Sequence, residues 1–168
     1  MIDDFDEIFL AGGCFWGLEL AFQRVPGVLN TEVGYIGGHT PDPTYREVCG
    51  GNTGHTEAVR IEFNPSVVSL DELLTVFWDR IDPTLLNRQG NDVGTQYRTG
   101  IFYQTKAQKE VAEQSLEREQ EKHIKDIVTE ITAHSGLWWP AERYHQQYLE
   151  KGGQCADKGE IEGIRCYG

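Results

Sequence analysis

Two adjacent glycines cut the first apolar run of this chain, and the pattern around them limits the folds open to it. Glu7-Ile8-Phe9-Leu10-Ala11 reads as a short strand, Gly12-Gly13 breaks it, and Phe15 to Arg24 then carries helical spacing up to Pro26-Gly27. Thr31 to Ile36 is a second strand, stopped by Gly37-Gly38, and strand character returns from His55 to Phe63. Ser69-Leu70-Asp71-Glu72 is a capping box, in which hydroxyl and carboxylate satisfy each other's backbone donors, and it opens a helix to about Arg80. Ile101-Phe102-Tyr103 is a fourth strand. Thr105-Lys106-Ala107-Gln108 repeats the capping pattern ahead of a helix to about His123, and Asp126 to Ala133 alternates as a further strand. The core order is therefore β-α-β-β-α-β with an extra helix and strand. That predicts an α+β class, a ferredoxin-like split β-α-β sandwich with helices over one face of a sheet.

Residues 37–54 and 82–99 are expected to be long ordered loops, a length at which loops tend to carry function. After Trp138-Trp139-Pro140 a short helical piece leads to a Gly-rich tail from Gly152 to Gly168. No repeat and no flexible linker divides the chain, so residues 1–168 are expected to form one domain, with 151–168 a mobile tail.

Charge removes several function classes. Lys and Arg number 15 against 27 Asp and Glu, a net charge of -12, which repels phosphate backbones and anionic membrane surfaces. No apolar stretch approaches the roughly 18 residues that span a bilayer. The first residues, Met1-Ile2-Asp3-Asp4-Phe5-Asp6-Glu7, are acidic where a secretory signal is basic, so a cytoplasmic location is expected. Cysteines stand at 14, 49, 155 and 166 with no C-x-x-C pair, which gives a zinc site no support and leaves thiol chemistry or burial to consider.

Cys14 follows a strand end and precedes a helix, where unpaired backbone N–H groups and the helix dipole favour a thiolate; the competing reading is a small buried hydrophobe. Phe15 and Trp16 are either core or an apolar wall suited to a methyl thioether group. The alternation Glu57, Val59, Ile61, Phe63 points Glu57 inward, where burial would raise its pKa and make it a proton donor; a shift of one residue would put Ala58 inside instead. Asp92 and Tyr97 lie in a segment that turn chemistry alone could explain. His123, His134 and His145 are read as incidental, the last on an exposed helix.

Gly13-Cys14-Phe15-Trp16-Gly17 resembles the signature of the class A peptide-methionine sulfoxide reductases. The likeness continues through Gly34-Tyr35, Thr44 to Gly50, Thr53 to Val59, Gln89 to Arg98 and His145-Gln146-Gln147-Tyr148-Leu149, spanning nearly the whole chain in order. The resemblance implies reduction of the S epimer of methionine sulfoxide, free or in proteins. It implies Cys14 as nucleophile, Phe15 and Trp16 as the methyl pocket, Glu57 as the acid, and Tyr45 and Tyr97 as phenols that hold the sulfoxide oxygen. Asp92 matches a polar residue beside them. It further implies a sulfenic acid on Cys14, a disulfide made by Cys155 or Cys166 in an order that alignment does not assign, and thioredoxin as external reductant. No cofactor or metal is implied, and a monomer is expected. Cys49 reads as a bystander.

Two rivals stay open at this level. A thiol hydrolase would need a histidine to activate Cys14, with His55 the candidate, and a thiol peroxidase would prefer peroxide. A binding module would capture oxidised methionine in an aromatic pocket and release no product.

Overall fold

A computed structural model describes residues 5–165. Six strands form one sheet: β1 (Asp6–Ala11), β2 (Val28–Ile36), β3 (Thr56–Phe63), β6 (Gly100–Tyr103), β7 (Glu130–Ala133) and β8 (Trp139–Pro140), in the order β7-β6-β1-β3-β2-β8. The four central strands pair antiparallel throughout. Helix α1 (Phe15–Gln23) joins β1 to β2, and α3 (Leu70–Arg80) leads from β3 toward β6, so β6-β1-β3-β2 is the split β-α-β sheet that the element order predicts. Helix α4 (Lys106–Gln120) then crosses to β7, which lies parallel to β6.

One face of the sheet carries the main core. Ile8, Leu10, Val33, Tyr35, Val59 and Ile61 pack under Phe15, Leu18 and Phe22 of α1 and Leu73, Leu74 and Phe77 of α3. The buried Trp78 indole donates to Ser115 Oγ at 2.8 Å, locking α3 to α4. The opposite face holds a smaller cluster of Phe9, Ala11, Ile36, Ala58 and Phe102, covered by Trp138. Burial on both faces explains why Glu57 and Ala58, neighbours pointing to opposite sides, are both shielded from water.

The loops hold more regular structure than their composition suggests. Residues 37–54 contain a five-residue helix, α2 (Tyr45–Cys49), started by a complete capping box between Thr44 and Glu47. The second loop contains a small hairpin, β4 (Arg88–Gln89) with β5 (Asp92–Val93), and a 3-10 turn, Thr95–Tyr97. The capping box expected at α4 is half present: Thr105 accepts the Gln108 N–H at 3.1 Å, but Gln108 Oε1 accepts from Gln104 N–H. Gln108 Nε2 reaches back to Glu7 O and Asp6 Oδ1 and ties the helix to β1. Among the described residues no helix is long and apolar enough to cross a membrane.

Candidate active site

Cys14 caps the N-terminus of α1, immediately beyond the end of β1, and is half-buried. The two glycines before it are required by geometry. A Cβ on Gly12 would meet Ile81 Cγ2 at 2.7 Å, and Gly13 has φ +72°, a conformation that side chains resist. Gly13 N–H donates to Tyr97 O at 3.2 Å, which fastens the 3-10 turn beside the thiol. The dipole argument for Cys14 needs one amendment, because not every N–H of the first turn is open. The Phe15 N–H donates to Glu57 Oε1 at 3.2 Å.

Glu57 is almost completely buried, on the inward face that the strand alternation predicts. Burial pushes its pKa up to about 8; the Phe15 N–H pulls it down in part, and nearby Asp92 pushes the same way as burial. Below that pH the carboxyl is neutral. Oε1 already accepts a hydrogen bond and Oε2 has no partner among the described residues, which leaves Oε2 as the oxygen able to carry the proton. A buried proton donor therefore stands beside the residue that caps the helix.

Tyr45 and Tyr97 converge on the same carboxyl. Burial first, then the field of Glu57, pushes both phenols well above their ordinary range, so both stay protonated. Asp92, Cys49 and Cys14 push the Tyr97 phenol further in the same direction. The turn carrying Tyr97 is pinned from β3 as well, where the Thr56 hydroxyl is 3.0 Å from both Gln96 O and Arg98 O. Tyr45 opens α2, its backbone N–H donating to Glu142 Oε2 at 2.8 Å; the other oxygen of Glu142 accepts the buried Tyr35 hydroxyl at 2.8 Å. Cys49, an exposed thiol, lies near enough to Tyr45 to push its phenol further up. Asp92 lies with Cys14, Arg80 and Gln89 around a cavity of about 310 Å³.

Trp16 departs from plain core packing. Its indole N–H donates to His145 Nδ1 at 2.9 Å, and its ring stacks on Tyr148 at 3.9 Å and 12°. The expectation that His145 is exposed and incidental is therefore overturned. The residue is buried and packed against Phe15, Tyr45 and Trp16, and its burial pulls the imidazole pKa down, toward the neutral form that can accept from the indole. Two further residues that sequence reasoning passed over set this wall. Glu19 accepts from Gln147 N–H and Nε2, each at 2.9 Å, and so holds the left-handed turn that delivers Tyr148 at the start of α5 (Tyr148–Lys151). The Gln146 side chain exchanges two 2.8 Å bonds with the Val33 backbone, like an extra strand residue on β2.

His55, the base a hydrolase would need, is occupied elsewhere. Its Nδ1 accepts from Gly38 N–H at 3.1 Å and its Nε2 meets Thr40 O at 2.7 Å, which fits a neutral ring holding the loop shut. Among the described residues no group of three His, Cys, Asp or Glu is disposed to hold a metal ion.

Residues 152–165 of the tail have little regular structure, and Arg24 donates to Cys155 O at 2.9 Å and Glu162 O at 2.6 Å. Lys158 caps the far end of α1 through Gln23 O at 2.7 Å, and Gln154 forms two bonds with the Arg165 backbone. Cys155 is half-buried beside the C-terminal end of α1, whereas Cys14 stands at its N-terminus. Cys166 lies outside the described residues.

Comparison with known proteins agrees with this arrangement. A family model described as peptide methionine sulfoxide reductase matches residues 6–162. The chain is 56% identical over 158 residues to peptide methionine sulfoxide reductase A2-1 of Oryza sativa subsp. japonica, covering 94% of this chain and 84% of that protein. It is similar to the structure of methionine sulfoxide reductase A of Corynebacterium diphtheriae, with TM-score 0.81, 38% identity, and coverage of 98% of this chain and 83% of that one. Mxr1 of Saccharomyces cerevisiae in reduced form gives TM-score 0.83 at 36% identity, over 97% and 90% of the two chains. The same yeast protein in complex with Trx2 gives 0.61 at 25% identity, over 88% of each. A match over nearly the whole length, a ferredoxin-like sheet, and a thiol beside a buried neutral carboxyl lead to one conclusion: the chain belongs to the peptide methionine sulfoxide reductases of the A type, an oxidoreductase family.

Proposed function

We propose that the chain exerts its methionine sulfoxide reductase activity on the S epimer, free or within proteins, through Cys14 and with Glu57 as proton donor. A sulfoxide sulfur is a poor electrophile until its oxygen is protonated or hydrogen-bonded. Neutral Glu57, with Tyr45 and Tyr97 as further donors, stabilises the charge that develops on that oxygen. The Cys14 thiolate attacks sulfur as Glu57 gives its proton to the sulfoxide oxygen. The oxygen then passes, as hydroxyl, from the methionine sulfur to the Cys14 sulfur, the transient S–S bond breaks, and methionine leaves with that electron pair. The thiolate has lost two electrons to the sulfoxide and remains as sulfenic acid. A tail thiol, Cys155 or Cys166, displaces water to form a disulfide, and thioredoxin returns both sulfurs to thiols. Phe15 and Trp16 wall the methyl group, and Asp92 shapes the polar side. The complex of the similar yeast protein with Trx2 supports thioredoxin as reductant. A cytoplasmic monomer is part of the same proposal.

The observation that carries the reading is the buried Glu57 carboxyl, with Oε2 unpartnered among the described residues and its other oxygen on the first turn of the helix that Cys14 caps. The test is a coupled assay with thioredoxin and its reductase on the separated sulfoxide epimers. Turnover of the S epimer alone is expected; equal turnover of the R epimer would overturn the assignment.

A further inference from the structure

Behind Trp16 lies a groove of about 750 Å³, lined by Arg143, Tyr144, Tyr148, Lys151 and Gly152. It is larger than the cavity at Cys14 and shares none of its lining residues. Its two tyrosines are the outer leaves of the aromatic stack just described. Tyr148 lies face to face on Trp16, and Tyr144 lies 4.2 Å from His145, the residue that takes the Trp16 N–H. The groove and the pocket wall are thus two sides of one stack of rings.

Its charge is opposite to that of the molecule. The chain carries -12 overall, yet both charged residues lining the groove are cations, and both are exposed. The Lys151 ammonium leans over the groove to within 3.5 Å of Arg143 O. A protein this acidic repels acidic polypeptides by its net field, and two cations set around aromatic faces offer a local exception.

Resting on the reading above, we infer that this groove receives the residues flanking the oxidised methionine of a polypeptide substrate, and that Arg143 and Lys151 favour Asp or Glu there. An extended chain advances about 3.3 Å per residue, so a side chain two or three positions from a methionine held against Trp16 reaches across the Trp16–Tyr148 stack. Tyr144 and Tyr148 take its apolar stem, and the two cations take its carboxylate. Specificity then comes from sequence context around the methionine as well as from the sulfoxide.

The experiment compares kcat/KM at low ionic strength for three peptides with a central methionine-S-sulfoxide, flanked by Asp, Ala or Lys, alongside N-acetyl-methionine-S-sulfoxide. For the wild type, the Asp-to-Lys ratio is expected to be about tenfold, carried by KM. Arg143→Gln with Lys151→Gln brings the ratio close to one, and Arg143→Glu with Lys151→Glu reverses it. The control pair Lys106→Glu with Lys125→Glu makes the same change in net charge on exposed sites elsewhere, and it retains the wild-type ratio. A wild type that reduces N-acetyl-methionine-S-sulfoxide without distinguishing the peptides overturns the groove assignment and leaves the reductase reading standing. A wild type inactive on every sulfoxide overturns both. Loss of the ratio in the control pair would mean that the whole molecule's field selects substrates. A groove variant that alters only the KM for thioredoxin would assign the groove to the reductant, and either result overturns the inference.

Discussion

Glu57 Oε1 receives the backbone N–H of Phe15 at 3.2 Å, so an acid from the middle strand of the sheet is clipped to the first turn of the helix that Cys14 caps. The bond crosses 42 residues of sequence and orients the carboxyl with its free oxygen, Oε2, left to hold the proton.

Glu57→Gln preserves this clip, because the amide oxygen can accept the same N–H, but it has no acid proton to give. Single-turnover reduction is expected to slow by about 10²- to 10⁴-fold. In the wild type, the rate should fall as pH rises through about 8, the pH at which Glu57 ionises, and the variant should lack that descending limb. A wild-type rate that stays flat across that range would remove Glu57 as donor.

The same carboxyl imprints a stability profile. Its folded pKa, about 8, exceeds the ordinary 4.5, so the stabilisation of its neutral form is complete below about 4.5 and is lost as pH rises toward 8. Between those values the unfolded chain has released a proton that the folded chain keeps, at about 1.4 kcal/mol per pH unit. The Tm of Glu57→Gln minus that of the wild type should therefore widen from about pH 5 to about pH 8 and then level off. Thermal melts across that range would show it, and a constant gap would mean that the carboxyl is solvated.

His145→Ala leaves the Trp16 N–H without its acceptor. The net loss of one such bond, about 0.5 to 1.5 kcal/mol, predicts a KM for sulfoxide raised about 2- to 12-fold with kcat less affected. His145→Asn should recover part of it, since an amide oxygen can take the indole proton. A kcat effect as large as that of Glu57→Gln would point to direct participation of the imidazole instead.

Removing the tail thiols separates reduction from recycling. Cys155→Ser with Cys166→Ser is expected to release about one equivalent of methionine per enzyme and then stall with thioredoxin, because thioredoxin acts on a disulfide. A small dithiol should restart it. Cys14→Ser should release none. Quantifying methionine after rapid mixing distinguishes the three, and full thioredoxin-linked turnover in the double variant would shift attention to Cys49.

What could be read from the sequence was whatever is encoded locally. The capping residues Ser69 and Glu72 announced α3, and the Gly12-Gly13 break announced the strand-to-helix junction, because each depends only on neighbours in the chain. Helix α2 escaped notice although Thr44 and Glu47 carry the same signal; five residues are too few for an apolar period to form. Glu57 was half legible. Its alternation with Val59 and Ile61 was visible, but a strand buried on both faces gives alternation little contrast. His145 stood in a matched block, but its role was hidden, since it lies in an indole 129 residues away. Arg24 was equally hidden, because it binds main-chain carbonyls, and these leave no mark in the sequence.

That arginine sets a distance. The caps of α1 are ten residues apart, roughly 15 Å at 1.5 Å per residue, and Arg24, at the end away from Cys14, binds the Cys155 carbonyl. Disulfide closure brings Cα atoms within about 7 Å. On the proposed route through Cys155, the segment that carries this thiol therefore gives up its Arg24 bond before it reaches Cys14.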